Sequence, residues 1–445
     1  MATLFSTPTF GSAAVPGDKA ERTIIGQDWN RSKNATDVEL GLDPTATMEI
    51  ESTDDDALQA GLTEVNPSAQ VTPYIKQAFE EGKTASPLYK LHVYDEKLGE
   101  RFLLVRNPAT SSVSPTGRTT RIFVAFDLHE KAFRILKDSS RPGSDGIYAD
   151  LAVADDCAST LGYSDSIGTV CDDGNLHMPN GKVQVTRGYG DTGHLWRTHT
   201  RTLLNEVGVP LKDYRNSKEL CTVVLHALEA HRDAWKSSKI FNRDVSDANI
   251  FIYKDSKSAN QEKSALLVDW DLSKSDASTV ELVQKNRTGI RRFTSAAVLQ
   301  FPNKPYEVAD DLEDLRDVLS YRYDRNIFED GCWKGGWGKY YAVMNGHLPC
   351  DISPTCHRFD SLLSKLARLC EQHYLAAQGS PESSLDEEDS DSGSDSEARI
   401  IATRTLDTHE SFLDAFRSAL RKKGWKDDKV AFDQFSHIPG SRMRS

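Results

Sequence analysis

Downstream of residue 88, apolar positions come in short β-favouring runs separated by charged turns, as in LYKLHVYDEKLGERFLLVRN and RTTRIFVAFDLHEKAFRILKD. Alternation of this kind, broken by polar turn residues, predicts an antiparallel sheet assembled from hairpins. The period then changes. In SKELCTVVLHALEAHRDAWKS the residues Leu220, Val223, Val224, Ala227 and Leu228 recur at helical spacing, with Ser217 as the expected cap and Glu219 soon after. Further helical runs follow at 309–321 (ADDLEDLRDVLSY), at 359–375 (FDSLLSKLARLCEQHYL) and in THESFLDAFRSALRKKGW. A sheet-rich half is therefore expected to precede a helix-rich half.

Two stretches break this pattern. Residues 1–85 are rich in Thr, Ser, Ala, Gly and Asp and carry few apolar groups, so they read as a mostly disordered extension with one short helix around Tyr74 to Phe79. Residues 380–397, SPESSLDEEDSDSGSDSE, cannot bury enough surface to offset their ordering entropy, and their like charges repel. They read as an exposed acidic insertion, suited to a basic partner. The expected division is an extension to 85, a sheet-rich lobe over 86–200, a helical lobe over 201–379, the insertion, a terminal helical segment over 398–436 and a tail over 437–445.

Composition narrows the function. The 445 residues carry a formal charge of -13, which argues against nucleic acid, because phosphate contacts need clustered Lys and Arg. Mean hydropathy is -0.53 and no eighteen apolar residues run together, so no membrane span is expected. Seven scattered cysteines without a CxxC pair, behind an N-terminus with no secretory pattern, suit an intracellular protein, cytoplasmic or nuclear. His347, Cys350, Cys356 and His357 are zinc-type ligands, but they match no standard spacing and read as ordinary loop residues.

One stretch asks for chemistry. In FNRDVSDANIFI, residues 241–252, Arg243, Asp244 and Asn249 stand at the mouth of an apolar run that would otherwise be a buried strand. Asp244 and Asn249 have the five-residue spacing by which a kinase catalytic loop supplies a base and a metal ligand. The strand in ALLVDWDLSK would return Asp269 beside them as a second metal ligand. In AFRILKD, Lys137 ends an alternating run in the manner of a phosphate-binding lysine. Ahead of it, VSPTGRTTRIFVAFD reads as a phosphate-covering hairpin with one glycine, Gly117.

The segments around EVGVPL, NRDVSDANIFI, LLVDWDLSK, RTGIRRFTSAAVLQF and ADDLEDL together resemble the fungal-type protein kinase domain family, over roughly 88–436. The resemblance implies an α+β, bilobal protein-kinase-like fold with an antiparallel sheet N-lobe and a mostly helical C-lobe. It also implies ATP and Mg²⁺ as cofactors and a protein substrate. By resemblance Asp244 looks like the catalytic base, Asn249 and Asp269 like metal ligands, Lys137 like the phosphate-binding lysine and Asp311 like the carboxylate that braces the catalytic loop. The sequence departs from the pattern at four places. Asn242 stands in place of the usual His, Ile290 in place of a Thr, and Gly117 alone in place of three glycines. The lysine's expected acidic partner would be Asp150, Asp155 or Asp156 and no Glu. These departures keep three readings in play: a Ser/Thr-type protein kinase, a pseudokinase acting as a binding scaffold, and a kinase-like small-molecule phosphotransferase.

Overall fold

The computed structural model describes residues 47–48, 50–65, 71–79, 87–95, 99–106, 108–112, 120–142, 170–175, 185–186, 197–253, 265–270, 273–275, 293–301, 304–319, 327–329, 332–334, 337–344, 357–378 and 404–425. Gly117, Asp150, Asp155, Asp156, Ile290, His347, Cys350, Cys356 and the acidic segment 380–397 lie outside them.

The first half is one antiparallel sheet. Its strands are β1 (Thr47–Met48), β2 (Tyr89–Asp95), β3 (Gly99–Val105), β4 (Thr110–Ser112), β5 (Thr120–Asp127), β6 (Ala132–Pro142), β7 (Val170–Asn175), β8 (Val185–Thr186) and β9 (Arg197–Leu204). They run in the order β1-β2-β3-β5-β6-β9-β7, with β4 on β5 and β8 on β9, and the sheet curls until β2 approaches β7. Both faces of its central strands are buried, which is why β5 reads as an unbroken apolar run. Phe123 and Ala125 pack on one face with Leu91, Leu103, Leu136 and Leu203, while Ile122, Val124 and Phe126 join Ile135 on the other.

Alternation along β6 separates two charged residues. Lys137 shares the face of Ile135 and points toward the second half, whereas Asp138 turns to the opposite face. There Asp138 meets His199 Nε2 at 2.5 Å and Arg201 Nε at 3.3 Å, and Arg121 lies opposite it on β5. Burial alone would raise the Asp138 carboxyl, but the surrounding His199, Arg201 and Arg121 charges hold it well below the usual carboxylate range.

Residues 52–79, expected as a mostly disordered extension with one short helix, instead carry two helices, α1 (Ser52–Glu64) and α2 (Val71–Phe79). Burial explains the difference. Leu58, Leu62, Ile75 and Phe79 enter the same apolar cluster as Ile122, Val124 and Ile135, and Lys90 anchors α1 through Asp54 at 2.8 Å.

The second half is mostly helical: α3 (Ser217–Ser238), α4 (Ala296–Gln300), α5 (Val308–Leu319), α6 (Trp337–Met344), α7 (His357–Gln378) and α8 (Glu410–Arg421). Short strands β10 (Val209–Pro210), β11 (Ile240–Phe241), β12 (Ile250–Ile252), β13 (Ala265–Leu267) and β14 (Lys274–Ser275) frame the loops between α3 and α4, and β15 (Ile327–Glu329) pairs with β16 (Cys332–Lys334) beyond α5. The cap of α3 is Asn216 rather than Ser217: its extended backbone lets the side chain accept the Glu219 N–H at 2.9 Å. The residues of α5 are buried on all sides, so this helix is the axis around which α3, α7 and the loops pack. Antiparallel sheet followed by helical bundle is the bilobal, kinase-like arrangement that the sequence implied. No helix among the described residues is long and apolar enough to cross a membrane.

The chain crosses between the halves at residues 205–208, where Gly208 lies against β12. A Cβ there would fall 2.6 Å from Phe251 Cβ and 3.3 Å from the Ile252 carbonyl oxygen. The glycine of the EVG motif is thus required by close approach. Gly208→Ala should lower stability by about 1–3 kcal/mol in a denaturant titration; an unchanged midpoint would show that β12 yields without cost. For Asp138, a depressed carboxyl contributes stability that is present above its unfolded pKa and is lost as pH falls toward the folded value. Asp138→Asn should cost about 3–5 kcal/mol at pH 7, and the gap to the unsubstituted protein should narrow as pH falls below about 4.

Candidate active site

The polar loop 242–249 joins β11, which pairs with β14, to β12, which lies between β10 and β13. Its backbone is held from below by one carboxylate. Asp311, fully buried on α5, accepts the Asn242 N–H at 3.0 Å through Oδ2 and the Arg243 N–H at 2.9 Å through Oδ1. The Tyr306 hydroxyl donates to the same Oδ1 at 2.6 Å and His231 Nε2 to Oδ2 at 2.8 Å. Burial, followed by the charges of Asp311, Asp314 and Asp310, pushes the Tyr306 hydroxyl well above its ordinary value, so it remains a donor.

These bonds hold a strained turn. Arg243 has φ 67° and Asp269 has φ 61°, both in the left-handed region. Non-glycine residues there cost on the order of 1–3 kcal/mol each and persist only where their surroundings fix them. The Arg243 guanidinium lies over the Tyr306 ring at 5.4 Å, which anchors that side chain as well as its amide.

The candidate residues converge at the end of β13. Lys137 Nζ reaches across from the sheet to Asp269 Oδ1 at 2.6 Å, with both side chains more than nine-tenths buried. The Asn249 carbonyl accepts the Val268 N–H at 2.9 Å, tying the loop to the residue before Asp269. Asn249 Nδ2 donates to the Asp244 carbonyl at 2.8 Å, which commits the amide nitrogen and leaves its oxygen as the atom that could hold a metal ion. Asn242 stitches the two segments: Nδ2 donates to the Asp269 carbonyl at 3.4 Å and Oδ1 accepts the Asp244 N–H at 3.2 Å. Around this polar centre, Ile135, Phe251, Leu266 and Val268 form one buried apolar cluster with α1 and α2.

The structure therefore brings Lys137, Asn249 and Asp269 together beside the loop that holds Arg243 and Asp244. An amide oxygen and a carboxylate are hard donors, the kind that bind Mg²⁺ through one or two side chains while nucleotide phosphates and water complete the shell. They fit that ion as part of a shared site. No cluster of three or more His, Cys, Asp or Glu that could hold a metal by itself occurs among the described residues. Lys137 is paired with Asp269, whereas Asp150, Asp155 and Asp156 lie outside the described residues.

Sequence reasoning missed His231, Tyr306 and His409. His231 Nδ1 lies 2.7 Å from His409 Nε2, and its ring is parallel to that of Trp270 at 6.2 Å and 20°. Burial, then the neighbouring His231, Arg232 and Lys236, lower the His409 imidazole to about 2, so it is neutral. One signal was available: His231 falls on the apolar stripe of α3, three residues after Leu228.

A family model described as Fungal protein kinase matches residues 163–321. No curated protein matches the chain. The matched segment includes Asp244, Asn249, Asp269 and Asp311, and ends two residues beyond α5; Lys137 stands before it and reaches the same place through the sheet. The extent is shorter than the 88–436 over which the motifs suggested it. Over this part of its length, from the strands before the interlobe crossing to the end of α5, the chain is similar to the fungal-type protein kinase domain.

Proposed function

We propose that the protein is an ATP- and Mg²⁺-dependent phosphotransferase of protein-kinase type, which moves the γ-phosphate to Ser or Thr hydroxyls of a protein substrate. The observation that carries this reading is the convergence of Lys137 and Asp269 at 2.6 Å beside a loop in which Asn249 is bonded back to Asp244. Phosphoryl transfer asks little covalent chemistry of a protein and depends on positioning and charge. These residues supply both.

In this mechanism Lys137 leaves Asp269 to hold the nucleotide phosphates, and Asp269 with the Asn249 oxygen would hold Mg²⁺. When bound, the ion neutralises charge on the transferring phosphoryl group. Asp244 orients the substrate hydroxyl and accepts its proton as the hydroxyl oxygen bonds to the γ-phosphorus and the bond from that phosphorus to the β–γ bridging oxygen breaks, releasing ADP. Arg243 keeps the loop in its left-handed turn through its amide bond to Asp311 and its contact with Tyr306. The hairpin at Gly117 would cover the phosphates, and the acidic segment 380–397 would recruit a basic partner.

A second reading, a nucleotide-poor binding scaffold, is favoured by one feature. The apolar cluster beside the site already contains Leu58, Leu62, Ile75 and Phe79 from the chain's own N-terminal helices. Transfer of labelled γ-phosphate to a degenerate Ser/Thr peptide library separates the two. On the kinase reading, Asp244→Ala lowers turnover by about 100-fold or more with the KM for ATP changed less than about twofold. Turnover that survives Asp244→Ala would refute the assigned base, and a folded protein without turnover would favour the scaffold.

A further inference from the structure

We propose that His231 is a positioning residue for phosphoryl transfer and that His409 locks its ring, so that the helix following the acidic segment is tied to the catalytic loop. This inference rests on the kinase reading above.

Three contacts meet on one fully buried ring. His231 Nε2 stands 2.8 Å from Asp311 Oδ2, Nδ1 stands 2.7 Å from His409 Nε2, and the ring face lies parallel to Trp270, the residue after Asp269. A carboxylate only accepts, so the proton on Nε2 belongs to His231. With Nε2 so committed, the shared bond to His409 fixes the ring from its other side. His409 is the residue immediately before α8. A single imidazole thus links the carboxylate under the loop, the end of the strand bearing Asp269, and the start of the last described helix.

This arrangement also accounts for Asn242. An amide at that position bonds to both the Asp269 carbonyl and the Asp244 N–H but has no ring to pack. The ring that stacks on Trp270 comes from α3 instead. Loss of His231 would take one of four donors from Asp311, and Asp311 Oδ2 is the same oxygen that holds the Asn242 amide. The disturbance passes directly to the residue that orients Asp244.

A buried histidine that only stabilises the fold would affect the whole molecule, whereas a positioning residue affects the loop. The full chain carrying His231→Phe, which keeps a ring but loses both nitrogens, is compared with His231→Gln, which keeps a donor. Expected for His231→Phe is a fall in kcat of about tenfold or more with the KM for ATP within about twofold; His231→Gln recovers to within about threefold of the unsubstituted rate. Hydrogen exchange in His231→Phe should quicken at 241–250 and stay unchanged at 217–228. Unchanged kcat, or a loss accompanied by faster exchange throughout and no recovery in His231→Gln, overturns the proposal.

Should His231→Phe not fold, His409→Leu decides: slower turnover with faster exchange confined to 241–250 supports the link, and no change overturns it. If the unsubstituted protein transfers no phosphate, the kinase reading fails separately. The exchange comparison then stands alone, with quickening confined to 241–250 supporting the link and unchanged protection refuting it.

Discussion

Asp311 is the group on which the candidate site depends. A carboxylate with no exposure to solvent is costly unless its lone pairs are filled, and here two backbone amides, a tyrosine hydroxyl and a histidine fill them. The exchange is mutual. The carboxylate is stabilised inside the helical core, and the loop 242–249 receives a fixed origin from which Asp244 and Asn249 are aimed. Two strained residues, Arg243 and Asp269, are tolerated because the surrounding bonds allow them no alternative. Preorganisation of this sort matters most in a reaction whose catalysis is mainly placement.

The second organising element is the division of charge along β6. Lys137 faces the site and Asp138 faces away, and each is buried with partners of opposite charge. Lys137 needs a rigid strand behind it if it is to meet Asp269. The buried Asp138, His199 and Arg201 group binds β6 to β9 directly behind that lysine. The interlobe crossing follows directly after β9, where only glycine permits the close contact with β12.

Much of this was legible in sequence where the determinants are local. Strand alternation put Lys137 at the end of a buried run, and the spacing of Asp244 and Asn249 together with the return strand to Asp269 placed three side chains at one locus. What escaped was long-range. The His231–His409 bond joins residues 178 positions apart, and no periodicity links them. The polar sequence STDDDALQAGLTE has few apolar positions, so α1 looked unstructured; it is helical because Leu58 and Leu62 find a partner surface that exists only once the sheet has formed. Asn216 and Ser217 are equally good caps by type, and the backbone conformation at 216 decided between them.

The most direct measurement is equilibrium unfolding with increasing ATP in the presence of Mg²⁺, for the unsubstituted chain and for Asp269→Asn. A working nucleotide site predicts saturable stabilisation, about 2.7 kcal/mol at a hundredfold excess of ligand over Kd, that disappears on chelation of Mg²⁺ and in Asp269→Asn. A folded chain that ATP and Mg²⁺ do not stabilise, or one whose stabilisation is undiminished in Asp269→Asn, would contradict the assignment of this site to phosphoryl transfer.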